Sequence, residues 1–316
     1  MTARVAVIGA SGIGRHHANW WRLEGAEVCA FVGTSSESVA QTKAVLEQMI
    51  GFRGAGYTDI ELMLRREQPD IVDVCSPAPF HAAHVRLALE AGCHVLCEKP
   101  FVFDPALPHH QLLAQARELI ALAEACGRQL GVCTQYSVGA QWFKSIYGEM
   151  HENEKVSFYR GHLEAPAKGR IGDPVRIWTD LSPHLLSVIL ACFPDAEPCW
   201  DTLQTRFEGY EAEAFLIIQT GLGTNLRCEL YTRNRNEDPP NIRQFIFNEC
   251  MFQVDAARDA EGAFCARIIT PDRIVDQPDM MRLLIRDSLR GSPTVTGRAI
   301  IKNMEWMLNI LECATH

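Results

Sequence analysis

The feature that most constrains this chain lies at its start, where Val5-Ala6-Val7-Ile8 runs straight into Gly9-Ala10-Ser11-Gly12-Ile13-Gly14 and then into a helical pattern. A glycine-rich turn between a first strand and a first helix lets the backbone adopt positive φ and approach a ligand closely. The helix that follows offers free N–H groups to an anion such as a pyrophosphate. Gly9, Ser11, Gly12, Ile13 and Gly14 are therefore candidates for holding a dinucleotide. Ser11 occupies the middle position of the Gly-x-Gly-x-x-Gly pattern, with Gly12 beside it to take over the close approach. An ordinary strand-to-helix turn would use the same residues, so the context has to decide.

That context is an alternation of short β-branched runs with longer helical patterns, the signature of a parallel sheet with crossover helices. Strands are expected at Arg4–Gly9, Glu27–Gly33, Ile71–Cys75, His94–Glu98 and Gln129–Gln135, and helices near Gly12–Leu23, Ser36–Met49, Phe80–Ala91 and Gln111–Cys126. After about residue 155 alternating stretches such as Glu213–Gln219, Asn225–Tyr231 and Gln244–Phe247 read as antiparallel strands. Asn234–Asn241 reads as a loop, and Gly297–Ala314 as a closing helix that packs back on the body. At roughly 150 residues per domain, 316 residues suggest two domains. The expected architecture is an α/β Rossmann dinucleotide-binding domain over residues 1–131, then an α+β domain over residues 132–316 with a largely antiparallel open sheet.

Composition narrows the partners. The 30 Lys plus Arg against 39 Asp plus Glu leave a formal charge of −9, which disfavours a large phosphate-backbone footprint and so a nucleic-acid partner. The longest apolar runs fall far short of the roughly 20 residues that span a bilayer, so no membrane association is expected. The 12 cysteines include no Cys-x-x-Cys pair and several alternate with apolar residues in expected strands. They read as free, buried thiols of a cytoplasmic protein, with no metal site.

An NAD site usually places an acid about 20 residues after the glycine turn, at the tip of the second strand, to hold the ribose hydroxyls. Here the tip reads Gly33-Thr34-Ser35-Ser36, with no acid. Removing that carboxylate removes repulsion against a 2′-phosphate, and Thr34, Ser35 and Ser36 add hydroxyls at a helix start. NADP is therefore preferred over NAD, although Thr34-Ser35-Ser36-Glu37 also fits a capping box that needs no ligand.

Asp73 to Phe80 read Asp-Val-Cys-Ser-Pro-Ala-Pro-Phe, followed by His81. The next helix ends Leu-Glu-Ala-Gly before Cys-His-Val-Leu-Cys-Glu-Lys-Pro, and Asp180-Leu181-Ser182-Pro183-His184 follows further on. This resembles the glucose-fructose oxidoreductase and inositol dehydrogenase family, Gfo/Idh/MocA, with its strand-borne Glu-Lys-Pro and its Asp-x-x-x-His. The resemblance spans essentially the whole chain. It implies an oxidoreductase acting on CH–OH groups of a polyol, sugar or cyclitol, with a homodimeric or homotetrameric assembly.

The chemistry asks for these residue types on its own terms. Moving a hydride between a secondary alcohol and nicotinamide also moves a proton, so one titratable group must reach the reacting oxygen. An imidazole with an ordinary pKa of about 6.5 suits that task, and the resemblance implies that His184 is the acid/base, with Asp180 one helical turn earlier touching substrate or orienting the ring. Lys99 offers a fixed charge for a developing alkoxide. The resemblance further implies that Glu98 contacts ribose hydroxyls and that Ser76, Pro77 and His81 border the nicotinamide half, with Ser76 and Ala78 replacing the family's Thr and Asn. His17 matches a histidine that follows the family's glycine turn and reads as packing or a helix-surface contact.

Gln135, Tyr136, Trp142, Arg176 and Trp178 are candidate substrate contacts, weighed against plain packing. Ser187 stands where the family often has Asp, and Pro174 to Trp178 replace a glycine pair, so the pocket's shape does not carry over. Two other readings use the same fold: a catalytically silent NAD(P)-binding sensor, and a glycosidase-like member with tightly held, recycled NAD. Cofactor binding without turnover would mark the first, and near-ultraviolet absorbance of bound reduced nicotinamide the second.

Overall fold

The computed structural model describes residues 2–152, 154–221, 223–239, 241–259 and 262–315. They form two compact units, one of Met1–Cys133 with Met281–Ile301 and one of Thr134–Met280 with Lys302–His316.

The first unit is built on a parallel sheet of β1 (Arg4–Ile8), β2 (Glu27–Val32), β3 (Ala55–Tyr57), β4 (Ile71–Val74), β5 (His94–Glu98) and β6 (Leu130–Cys133). Their order is β3-β2-β1-β4-β5-β6, so the chain runs outward one way from β1 and then returns to the other side at β4. That reversal opens a crevice at the carboxyl ends of β1 and β4, where such sheets bind ligands. Val5 pairs with Ile71 and Ile8 with Val74. Both strands are apolar apart from Arg4 and Asp73 because helices cover both faces.

Those helices are α1 (Gly14–Leu23), α2 (Ser36–Ile50), α3 (Ile60–Glu67), α4 (His81–Glu90) and α5 (His109–Ala125). Val7, Ala18, Phe31, Leu46 and Phe52 make one core cluster between sheet and helices. Ser35 starts α2 through a capping box with Ser38, each side chain taking the other residue's amide, and Gly51 ends it in the left-handed region at φ 65°. Thus the capping box uses Ser35 and Ser38 rather than the Thr34-to-Glu37 spacing. Arg282 and Arg286, late in sequence, grip Glu24 at 2.6 and 2.7 Å. Partial burial opposes that charge, but the two guanidiniums outweigh it and hold the Glu24 carboxyl below its ordinary range.

The second unit has an eight-stranded sheet of β7 (Phe158–Pro166), β8 (Glu197–Glu208), β9 (Glu211–Gln219), β10 (Asn225–Arg235), β11 (Ile242–Phe247), β12 (Cys250–Arg258), β13 (Phe264–Ile269) and β14 (Ile274–Pro278). The order is β14-β13-β12-β11-β7-β10-β9-β8. Neighbours are antiparallel except β7 and β10, which run parallel. In β10, Leu226, Cys228, Leu230 and Thr232 are buried, while Arg227, Glu229, Tyr231 and Arg233 occupy the other face. Helices α6 (Tyr136–Met150) and α7 (Pro174–Cys192) cover the buried side. Phe143 of α6 packs against Phe245 and Phe252, ring centroids 5.0 and 5.1 Å away.

Helices α8 (Met280–Leu289) and α9 (Gly297–Thr315) close the chain. Asn234 and Arg235 belong to β10, so the expected loop begins later; Pro240 within it lies outside the described residues. No helix among the described residues is long and apolar enough to cross a membrane.

Candidate functional site

In the first unit, parallel pairing brings the expected cofactor residues to one sheet edge, just past the carboxyl ends of β1, β2, β4 and β5. Gly9 follows β1, Thr34 to Ser36 follow β2, Ser76 and Pro77 follow β4, and Glu98 ends β5 with Lys99 next. Gly9 has φ +91°, and a Cβ there would lie 2.7 Å from the Cys75 carbonyl oxygen. A Cβ on Gly14 would lie 2.5 Å from the Gly9 carbonyl oxygen. These two glycines are required by packing. Gly12 differs, because a Cβ there meets nothing within 4 Å.

Ser11, Gly12 and Ile13 are exposed, and no side chain caps the start of α1. A helix start left without a side-chain cap is of the kind that receives an anion. Gly12→Ala should leave the urea midpoint unchanged while weakening NADH binding, whereas Gly14→Ala should lose about 1–3 kcal/mol of stability by overpacking. Urea denaturation and fluorescence titration of both variants check this.

Glu98 is engaged within the unit. Its Oε1 lies 2.9 Å from His17 Nε2, and its Oε2 accepts the Lys99 backbone N–H at 3.1 Å. Of the two expectations for His17, packing or a helix-surface contact, the structure matches packing. The ring is fully buried, with Nδ1 2.9 Å from Asp73 Oδ2. Trp21 Nε1–H donates to that same oxygen at 2.5 Å. Burial opposes the charge on His17, but the Asp73 and Glu98 carboxylates outweigh it and hold the imidazole at about 10.

His81 departs from expectation. It is 1% exposed, and its ring nitrogens face the Ser76 and Pro100 carbonyls at 2.6 and 2.9 Å. Burial pushes its pKa down although the carbonyls favour the charge. Its role is to tie the end of β4 to the Lys99-Pro100 turn, since a ring enclosed this way has no free edge for a cofactor. The Ser76 hydroxyl lies 2.9 Å from His84 Nδ1, and Pro77 is exposed.

In the second unit, Asp173 starts α7 by accepting the Arg176 amide, with Pro174 at the first helical position. Asp180 and His184 are four residues apart on this helix, hence on one face. Asp180 is exposed and His184 half-buried, whereas Ile177, Trp178, Leu181 and Leu185 are buried. Tyr136 meets the His184 ring edge-on at 5.3 Å. Tyr136 is buried, which raises its pKa, against the opposing influence of Arg243 and the neighbouring Gln135 amide. Gln135, Tyr136 and His184 are thus gathered together.

Trp178 is elsewhere. It is fully buried, donates its indole N–H to the Met307 carbonyl at 3.0 Å and packs on Phe207. It is a core side chain and not a substrate contact. Arg176 reaches Asn234 at 3.3 Å and lines an open depression with Arg170 and Pro174. Trp142 is half-buried on α6.

The sequence reading missed the grouping of His17, Trp21, Asp73 and Glu98. Its signal was Asp73 itself, a charge inside Ile-Val-Asp-Val of a central strand, which demands a buried partner.

Residues 3–134 match the oxidoreductase family with an NAD-binding Rossmann fold. D-apiose dehydrogenase of Paraburkholderia graminis is 35% identical over 273 residues, covering 80% of this chain and 65% of that protein. D-glucoside 3-dehydrogenase of Escherichia coli is 36% identical over 132 residues, covering 40% of this chain and 33% of that protein. The chain therefore spans between one third and about two thirds of the length of these curated relatives.

Among solved structures, UDP-N-acetylglucosamine 3-dehydrogenase GnnA from Acidithiobacillus ferrooxidans superposes with a TM-score of 0.73 at 20% identity, over 99% of this chain and 98% of that one. At that identity the likeness shows the fold alone. With the reversal of strand order after β1, the glycine turn at its edge and Glu-Lys-Pro closing β5, residues 3–134 match the NAD-binding Rossmann module of the Gfo/Idh/MocA oxidoreductase family.

Proposed function

We propose that this chain is a nicotinamide-dependent dehydrogenase or reductase that moves a hydride to or from a secondary alcohol or ketone of a sugar, cyclitol or sugar derivative. The observation that carries this reading is Lys99, placed at the carboxyl end of β5 on the same edge as the glycine turn. A cation there favours negative charge on a reacting oxygen. Bound nicotinamide supplies the hydride acceptor or donor; the chain supplies binding, orientation and the proton. His184 takes the hydroxyl proton in the oxidative direction and returns it in the reductive one, with Asp180 and Tyr136 bounding the ring. The relatives' names, D-apiose and D-glucoside dehydrogenases, support a sugar as substrate class.

For the cofactor, the exposed tip of β2 supports NADP in preference to NAD. Thr34, Ser35 and Ser36 are exposed there and no acid follows β2 directly. Ser35 already caps α2, so the Thr34 and Ser36 hydroxyls and the helix start would meet a 2′-phosphate. Twelve free cysteines support a reducing, cytoplasmic compartment. The half-buried Phe158, Phe215 and Ile217 on the outer face of the second sheet support self-association as a homodimer or homotetramer.

The test is binding followed by turnover. NADPH is expected to bind more tightly than NADH in fluorescence titrations, and one of D-apiose, D-glucosides or inositols should drive formation of reduced nicotinamide. Equal or tighter binding of NADH overturns the NADP preference. Absence of turnover across a broad polyol panel overturns the dehydrogenase reading.

A further inference from the structure

We propose that His17 is a positioning residue, a fixed imidazolium that clamps Glu98 and through it the backbone of Lys99. This deepens the functional reading above and rests on it for the role of Lys99.

Hydrogen counting fixes the charge of the ring. His17 Nδ1 lies 2.9 Å from an oxygen of Asp73, and Nε2 lies 2.9 Å from an oxygen of Glu98. A neutral imidazole carries a single N–H. One of those contacts would then set a nitrogen lone pair against a charged carboxylate oxygen, at a ring that is fully buried. The imidazolium donates to both and leaves neither oxygen unmatched.

The surroundings fix each partner. Asp73, on β4, also accepts the Trp21 indole N–H at 2.5 Å and the Cys75 thiol at 3.3 Å. Glu98, on β5, spends its second oxygen on the Lys99 amide at 3.1 Å. Other titratable groups near the ring are the thiols of Cys75 and, from β6, Cys133, and the neighbouring His16. Burial holds both thiols well above their ordinary range, so they stay neutral. The Trp20 ring covers His17 at 5.4 Å. A continuous chain of bonds therefore runs from β4 through His17 and Glu98 to the amide of Lys99.

The consequence is orientation. Lys99 leaves β5 with its amide held by a carboxylate that cannot rotate while His17 is charged. Its side chain thus departs from one fixed backbone direction, as a group stabilising a reacting oxygen requires.

The test reads protonation and local order directly. In protein labelled with ¹⁵N-histidine, His17, assigned by loss of its signal in His17→Asn, is expected to keep the imidazolium signature through pH 8, where exposed histidines are neutral. In His17→Asn and in the shape-preserving Glu98→Gln, hydrogen exchange of the Lys99 amide should speed up by about 10- to 100-fold, the equivalent of one charge-assisted hydrogen bond. If His17→Asn fails to fold, wild type against Glu98→Gln carries the exchange comparison.

A neutral His17 at pH 8 would overturn the clamp. So would an unchanged Lys99 exchange rate, or a stoichiometric transition metal in the purified protein. These readouts need no substrate. Missing turnover would sink the dehydrogenase reading alone, whereas a neutral His17 in an active enzyme would sink the clamp alone.

Discussion

Replacing His184 with alanine should lower kcat by about 10²- to 10⁴-fold, the range set by losing a general acid/base, while leaving NADH affinity close to wild type. The expectation follows from placement. His184 is half-buried on the same face of α7 as exposed Asp180, and Tyr136 lies edge-on against its ring. Its removal takes away the proposed proton acceptor without touching the glycine turn. Lys99→Met, which keeps length and removes charge, should cost about 10²- to 10³-fold by analogy with deleting one oxyanion donor. Thermal melts of each variant must stay near wild type for this comparison to stand. Retention of full turnover by both single variants would remove them from the chemistry.

The largest expected effect on stability comes from Asp73. Asp73→Ala would strand the His17 charge on one side and leave the Trp21 N–H without its acceptor. Breaking a buried pair in this way costs about 3–5 kcal/mol. The pH dependence gives a second signature. His17 is raised in the folded state to about 10 from 6.5. Its stabilising contribution is therefore complete below pH 6.5 and is lost progressively up to pH 10, at about 1.4 kcal/mol per pH unit. In Asp73→Asn one of the two opposing carboxylates is gone, the folded pKa falls, and the slope above pH 6.5 should flatten. Urea denaturation of wild type and Asp73→Asn between pH 6.5 and 8 compares the slopes, the contribution of thiols ionising in the unfolded state being common to both.

The first unit was largely legible because local rules and tertiary demands coincide there. The strands expected at Arg4–Gly9 and Glu27–Gly33 each end one residue earlier, at Ile8 and Val32. Gly9 leaves the extended region at φ +91° to make the turn. β3 escaped notice because Ala-Gly-Tyr is too short to carry a period.

Helix α6 was hidden by composition. Tyr136, Gly139, Ala140, Phe143 and Tyr147 are buried at helical spacing, yet aromatic residues and two glycines mask that period. In the second sheet, alternation marked β9, β10 and β11 as antiparallel strands, which holds for β9 with β10 and β11 with β12 but not for β10 beside β7. The parallel pairing of β7 with β10 depends on long connections that no local pattern encodes. The candidate site divides the same way: Lys99 and His184 were visible as motifs, while His17 and Asp73 needed the register of β1, β4 and β5 to reveal that they face each other.

The central claim is that this chain transfers a hydride from a CH–OH carbon, and isotope transfer tests it most directly. The best substrate from the panel, deuterated at the reacting carbon, would be incubated with the oxidised cofactor and the product nicotinamide analysed by mass spectrometry and NMR. The account predicts one deuterium at C4 of the reduced ring, with His184→Ala forming the same labelled product far more slowly. Reduced cofactor without deuterium, or bound cofactor that is never reduced by any polyol, would contradict it.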